Sequence, residues 1–505
     1  MTSHHRPYRA RRRLRLRDPL ILALPLLLGA CASYQGIAPS AKQIDSVTLA
    51  QPADTVETAS DWPQDRWWLG YGDPQLDRLM QRALADSPNL ATAQARIARA
   101  QAAADLSHAN HRPQVGLGAD ASYGLQSENY LFPKPPLGPG GEYASQGQAG
   151  VNFGYELDLW GKNSALIRAA EAQLKAAEYD HAAARLALTT SIARAYVQLA
   201  AQYDLQEVLL ATQQQREDIR KLTSQRVANG LDTRVELKQA ETSEAVLRIE
   251  LEQLATAMKI SRLQLASLVG GMPADADAIG RPALSNVVTR IPQNLPLDLL
   301  GRRPELAAQR ARIEAAIGEA DAAKAQFYPN INLSALIGYQ AIGLDKLLDP
   351  GSMTNSIGAA IRLPIFDGGR LRANYAVRTA DIDTAISQYN QSVLNAAQDV
   401  AEQLTRVADL SREQAATDEA LAAAEEAHRL AMLRYRSGLT PYLTVLTVET
   451  QLLAQRRASA NLRAKREDLQ IALLRALGGG FVDEQARAAA APATDSNKTV
   501  SQEKS

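Results

Sequence analysis

Residues 87–123 read SPNLATAQARIARAQAAADLSHANHRPQVGLGADASY, and residues 303–339 read RPELAAQRARIEAAIGEADAAKAQFYPNINLSALIGY. The second stretch restates the first. Pro88, Leu90, Ala95, Arg96, Ile97, Ala104, Pro113 and Leu117 return at a constant offset of 216 as Pro304, Leu306, Ala311, Arg312, Ile313, Ala320, Pro329 and Leu333. Further on the offset becomes 208: Gly161, Arg226, Gly230, Leu231, Glu241 and Gly270 return as Gly369, Arg434, Gly438, Leu439, Glu449 and Gly478. One length change in one loop, about residues 125–148, accounts for both offsets. A whole structural unit is duplicated, which predicts internal pseudo-symmetry. The period is far too long for a solenoid of short repeats.

Each copy carries two segments of strict alternation. Val115, Leu117, Ala119, Ala121 and Tyr123 oppose Gly116, Gly118, Asp120 and Ser122, and residues 151–159 alternate in the same way. In the second copy the segments are 331–339 and 357–365. Period-two patterning over about nine residues fits a strand that faces lipid on one side and a polar lumen on the other, and equally a half-buried strand of a soluble sheet; two hairpins with large apolar outer faces favour lipid. Four such strands cannot close a barrel, for which about eight is the minimum. The chain must therefore oligomerise around an axis.

The helices point the same way. A helix is expected from the Asp73-Pro74 cap to about Asn110. Residues 162–229 and 370–437 contain neither glycine nor proline, and each predicts a helix about 100 Å long at ~1.5 Å per residue. Such helices pack along one another, not within one compact globule. Gly230 and Gly438 stop them. The chain turns back at Leu231-Asp232 and at Leu439-Thr440-Pro441, and a further helix follows each turn, so each copy ends in a long antiparallel hairpin.

The N-terminus sets the compartment. A strongly basic segment at 5–17 precedes an apolar stretch from Pro19 to Ala30, the pattern of a signal peptide. It ends Leu28-Gly29-Ala30-Cys31, and Cys31 is the one cysteine of 505 residues, so no disulfide framework is expected. Lys and Arg together balance Asp and Glu, so no net field draws nucleic acid. Catalytic and metal signatures are missing. His108 and His111 sit three apart with no carboxylate or cysteine to complete a zinc set, and GxSxG and HExxH do not occur. The reading is of a non-enzyme without cofactors.

Five segments together resemble the outer-membrane efflux proteins of the TolC family, in their lipoprotein (OprM/NodT-like) branch. They are Trp67-Trp68 with Asp73-Pro74-Gln75-Leu76; Arg302-Arg303-Pro304-Glu305-Leu306; Phe327-Tyr328-Pro329; Leu363-Pro364-Ile365-Phe366-Asp367-Gly368-Gly369-Arg370; and Arg434-Tyr435-Arg436-Ser437-Gly438. The resemblance spans about residues 60–480. It implies a mainly α chain with a membrane β-barrel. Three protomers give four strands each to a twelve-stranded barrel, and a periplasmic α-barrel continues it. It also implies an exit duct for drugs and other small toxic molecules, working with a periplasmic adaptor and an inner-membrane transporter. Leu28 to Cys31 resembles a lipobox, which implies cleavage before Cys31, its lipidation (palmitate included) and, with Ala32 next, sorting to the outer membrane. The implied layout is a signal peptide at 1–30, a lipid-anchored segment at 31–73, repeats at 74–271 and 301–480, a linker at 272–300 and a disordered tail at 481–505.

By the same resemblance the hairpin tips dock the adaptor, with Arg226, Gly230, Leu231, Arg434, Ser437, Gly438 and Leu439 as contacts. One departure stands out. Relatives place aspartates six and nine residues past the second tip glycine, where they narrow the closed aperture. This chain has Thr444 and Thr447 there. The expected gate is therefore Thr440, Tyr442, Thr444 and Thr447, closed by hydroxyl packing, with acidity from Asp232 and Glu236. Two other classes fit parts of the pattern. A periplasmic adaptor has one hairpin in a β-rich body, and a structural coiled-coil lipoprotein leaves the alternating strands unexplained.

Overall fold

The alternating segments form one antiparallel sheet in the order β1-β2-β3-β4, with β1 at Gln114–Leu125, β2 at Tyr143–Leu157, β3 at Asn330–Ile342 and β4 at Met353–Arg362. The computed structural model describes residues 33–44, 63–129, 135–285 and 302–483. The duplication is visible in the register. Gln114 pairs with Gly154 and, 216 and 208 positions on, Asn330 pairs with Arg362. Every odd-numbered position faces one way. Leu117 and Val151 are cross-strand partners, and so are Leu333 and Ala359. The apolar face is bare, with Leu117 81% and Ile357 91% exposed. Side chains of this size left in water forfeit about 1.5–3 kcal/mol each, so this face needs an apolar environment that the chain alone does not supply.

Two strands stop short of their expected ends. β2 ends at Leu157 instead of 159, because the Asp158 carboxylate accepts from the backbone N–H groups of Asn163 and Ser164 at 3.0 and 2.8 Å and turns the chain into a helix. β4 ends at Arg362 instead of 365, where Pro364 has no N–H to give a ladder. At mid-sheet β2 and β3 approach closely. A Cβ on Gly338 would lie 2.3 Å from the Ala149 carbonyl oxygen and 2.5 Å from the Gly150 Cα. Gly338→Val is therefore expected to separate these strands and abolish the heat-modifiable, folded form on a gel, an overpacking cost of about 1–3 kcal/mol or more at a backbone contact.

The helices are α1 (Pro74–Asp86), α2 (Pro88–Asn110), α3 (Lys162–Ala228), α4 (Arg234–Leu268), α5 (Pro304–Ala325), α6 (Arg370–Arg436) and α7 (Tyr442–Ala476). The single helix expected from 74 to 110 is two. Ser87 is extended at ψ 121, the conformation that a following proline imposes, and Pro88 starts the second helix. Within the expected linker at 272–300, Pro273–Ala278 forms a 3-10 turn. The tail at 481–505 begins ordered: Phe481 packs edge-on against Tyr179, whose hydroxyl donates to Asp483 at 3.1 Å. The signal segment, Cys31, residues 286–300 and the tail beyond 483 lie outside the described residues. No described helix is long and apolar enough to cross a membrane.

The chain divides into two compact units. One, built from Gln101–Gln173 and Ile313–Ala385 with residues 33–41, holds the sheet. The other, built from 63–100, Leu174–Arg312 and Ile386 onward, holds the hairpins. The core of the second unit gathers Trp68, Tyr71, Leu76, Met80, Ile192, Tyr196, Leu247 and Leu265, all nearly inaccessible. Asp73 organises its entry. It caps α1 through Gln75 N–H at 2.8 Å, accepts from the Tyr196 hydroxyl at 2.6 Å and accepts from Ala283 N–H at 2.7 Å.

Candidate functional site

Both hairpin tips are built by the same backbone device. At the first, Gly230 takes φ +71°, its N–H donates to Val227 O at 3.1 Å, and Leu231 N–H donates to Arg226 O at 2.9 Å. At the second, Gly438 takes φ +76°, its N–H donates to Tyr435 O at 3.0 Å, and Leu439 N–H donates to Arg434 O at 2.8 Å. This is the Schellman stop, and it requires a residue that tolerates left-handed φ. The leucine after each glycine is about two-thirds exposed. The return helices begin differently. Thr233 and Glu236 form a capping box on α4, while α7 starts behind Pro441 with no side-chain cap.

Side chains from three segments meet between the tips. Asp232 accepts from Arg226 Nε at 2.8 Å and Nη2 at 3.2 Å, and from the Tyr435 hydroxyl at 2.7 Å. The Arg226 guanidinium lies 4.7 Å from the Tyr435 ring centroid and donates to the Tyr435 carbonyl at 3.2 Å. Since the phenol proton goes to Asp232, the Thr223 hydroxyl, 2.9 Å from the Tyr435 oxygen, is the donor in that pair. Arg226 and Asp232 side chains are only 13% and 8% exposed, and Tyr435 is fully buried. The duplication is broken here. The repeat positions of Asp232, Tyr435 and Thr223 are Thr440, Val227 and Ala431, so one network joins the end of α3 to the end of α6.

A second polar contact lies deeper. Arg216 on α3 donates through Nε to Glu449 on α7 at 2.7 Å and through Nη1 to Ser243 O on α4 at 2.6 Å, with side chains 8% and 2% exposed for the pair. The other Glu449 carboxylate oxygen has no partner among the described residues. Tyr442, Val445, Ile219, Ala240 and Ala431 surround these groups as an apolar plug.

Several expected roles change. Arg226 is not a surface contact, because it is turned inward onto Asp232 and Tyr435. Asp232 is engaged in that ion pair and Glu236 in the capping box, so neither offers a free carboxylate. Tyr442 is 1% exposed and belongs to the plug. Thr440 is half-buried, and its hydroxyl has no partner among the described residues. Gly230, Leu231, Arg434, Ser437, Gly438, Leu439, Thr444 and Thr447 are exposed. Sequence reasoning missed Tyr435, Thr223, Arg216 and Glu449. The replacement of Val227 by Tyr435 between the copies was the available signal for the first.

Burial works to raise the Asp232 carboxyl, but the hydrogen bonds from Arg226 and Tyr435 outweigh it and hold it below the usual carboxylate range. Burial, aided by Asp232, pushes the Tyr435 phenol up to about 12. A depressed acid contributes stability above its unfolded pKa of ~3.9 and loses it only as pH falls through the lower folded value. A raised phenol contributes below its unfolded value of ~10 and loses it as pH rises further. The network should therefore be intact from about pH 5 to 9. Channel conductance is expected to be flat over that range, recorded in a His428→Gln background because burial lowers the His428 pKa and its charging adds a separate acid step.

The sequence profile of the family described as Outer membrane efflux protein matches residues 79–271 and 295–479. The chain belongs to that family. It is 34% identical over 466 residues to the multidrug resistance outer membrane protein MdtP of Shigella flexneri, covering 91% of this chain and 96% of that protein. It is 31% identical over 474 residues to the multidrug resistance outer membrane protein MdtQ of an Escherichia coli O6:H1 strain, covering 92% and 98%. Among solved structures, the outer membrane protein VceC of Vibrio cholerae superposes with a TM-score of 0.79 at 39% identity, covering 83% of this chain and all of that one. The fold is thus the duplicated fold of outer-membrane efflux proteins, and the four-stranded sheet and the paired hairpins are its two recurring parts.

Among the described residues no group of three or more His, Cys, Asp or Glu could hold a metal. What the site offers is a set of tips joined by a buried, breakable polar network.

Proposed function

We propose that this protein is the outer-membrane exit duct of a tripartite efflux pump, carrying small toxic molecules out of the cell. The observation that carries this reading is the open-edged sheet with one bare apolar face and one polar face. A four-stranded sheet with unpaired edges is viable in lipid only if copies close it into a barrel. Three copies give twelve strands, with the apolar face in the membrane and the polar face lining the lumen. The long hairpins carry the duct into the periplasm, and their tips form its closable end. The exposed Leu231, Leu439, Arg434 and Ser437 present the surface that a periplasmic adaptor grips, and an inner-membrane transporter supplies the energy. Thr444 and Thr447, exposed on the first turns of α7, line the aperture. Lipidation at Cys31 anchors each protomer, so a Cys31→Ser chain is expected to incorporate no labelled palmitate.

The test is complementation. Expressed with its neighbouring adaptor and transporter in a strain without its own ducts, the protein should restore efflux of a fluorescent dye. A correctly inserted trimer that restored none, with any adaptor, would remove the reading.

A further inference from the structure

The sheet-bearing unit contains a cavity of about 220 Å³ where β2 and β4 end and α3 and α6 begin. Its walls combine charge with flat aromatic surface. Lys162, Arg362 and Arg370 line it, as do Trp160 and Tyr328, whose rings stack at 4.8 Å between centroids and 17° between planes. The Trp160 ring is fixed by its Nε1–H donating to Pro329 O at 2.7 Å.

The charge balance is positive. Glu156 is neutralised by Lys162 at 2.5 Å and also accepts from Asn330 at 2.8 Å. Asp158 is engaged at the start of α3 by Asn163 and Ser164. Arg362 and Arg370 are exposed, and no described acidic side chain pairs with either. Arg362 stands directly across from Asn330, on the even-numbered polar face of the sheet with Glu156 and Asn332. Two unpaired guanidiniums beside a stacked aromatic wall match a planar, anionic organic molecule. A guanidinium fork binds a carboxylate or sulfonate in two-point fashion, and the ring stacks on an aromatic or guanidinium plane.

We infer that this cavity is a recognition site for small aromatic carboxylates or sulfonates passing along the lumen, with Arg362 and Arg370 holding the anionic group and Trp160 the ring. The inference rests on the duct reading for the direction of traffic, and not for the chemistry of the site. The same site would disfavour neutral and cationic analogues, giving the duct a preference of its own.

The test uses the full-length trimer in detergent. Calorimetric titration with benzenesulfonate, beside neutral benzyl alcohol, reads binding without requiring conduction. Benzenesulfonate should bind the wild type and lose about tenfold in affinity in Arg362→Gln and again in Arg370→Gln, the loss of one charge-assisted contact each. Benzyl alcohol should be unaffected by either change. Both arginines are exposed at element ends, so these variants keep the fold, and heat-modifiable migration checks this. Channel block by benzenesulfonate in a planar bilayer should follow the same order. Equal affinity in the wild type and both variants, or no binding to a conducting wild type, would overturn the site. Binding with the predicted arginine dependence in a protein that never conducts would support the site and remove the duct reading.

Discussion

Replacing Asp232 by alanine is expected to raise the open probability of single channels about 10- to 100-fold at neutral pH. Asp232, in the turn after α3, accepts two hydrogen bonds from Arg226 at the end of α3 and one from Tyr435 at the end of α6, and in the proposed opening these two helix ends separate. Hydrogen bonds to charged groups contribute ~1.5–3 kcal/mol each to stability, and a shift of ~1.4 kcal/mol is tenfold in an equilibrium. Removing the carboxylate also leaves Arg226 nearly buried without its counter-ion, which penalises the closed arrangement further. Tyr435→Phe removes one hydrogen bond and leaves the ion pair, so its effect should be smaller, about fivefold to tenfold. Recordings in which Asp232→Ala and the wild type open equally often would show that the network does not hold the tips.

Glu449→Ala is expected to lower trimer stability by about 3–5 kcal/mol, the cost of stranding one member of a buried ion pair. Arg216 and Glu449 are among the least exposed charged groups of the described residues, and among those residues the Arg216 guanidinium would keep its bond to the Ser243 carbonyl. The double change Arg216→Met plus Glu449→Leu should recover most of that loss, because it removes both charges and returns apolar volume to a plug already made of Ile219, Val445 and Tyr442. Thermal melts of the detergent-solubilised trimers read both effects. If the double variant were as unstable as Glu449→Ala, the pair would be doing more than matching its own desolvation.

These two networks mark the limit of what the sequence discloses. The strands are legible because side chains alternate at a period of two and one face must be apolar. The long helices are legible from the lack of glycine and proline between Lys162 and Asn229, and their ends from Gly230 and Gly438. The break at Ser87 was legible too, since a proline restricts the residue before it, but alanine-rich helical composition on both sides masked it. The polar network was not legible. Thr223, Arg226 and Asp232 lie within ten positions of one another but more than two hundred from Tyr435, and alanine on every face of α3 and α6 leaves the register of those helices unspecified by periodicity. An aspartate at a tip reads as an open-water acid until the helix bearing Tyr435 is placed beside it. Tyr442 was misread for the same reason: its place on the first turn after a tip says nothing of which way the ring points.

The most direct test of a duct closed at its tips uses the fact that Cys31 is the one natural cysteine. Thr444→Cys places a single new thiol on the exposed start of α7 in each protomer. If three chains surround one axis and close there, three thiols meet and Cd²⁺ added from the periplasmic side should abolish single-channel current, with recovery on chelation and no effect on the wild type. Channels of the Thr444→Cys protein that conduct unchanged in Cd²⁺ would contradict a constriction at the tips, and with it the account of how this duct is shut.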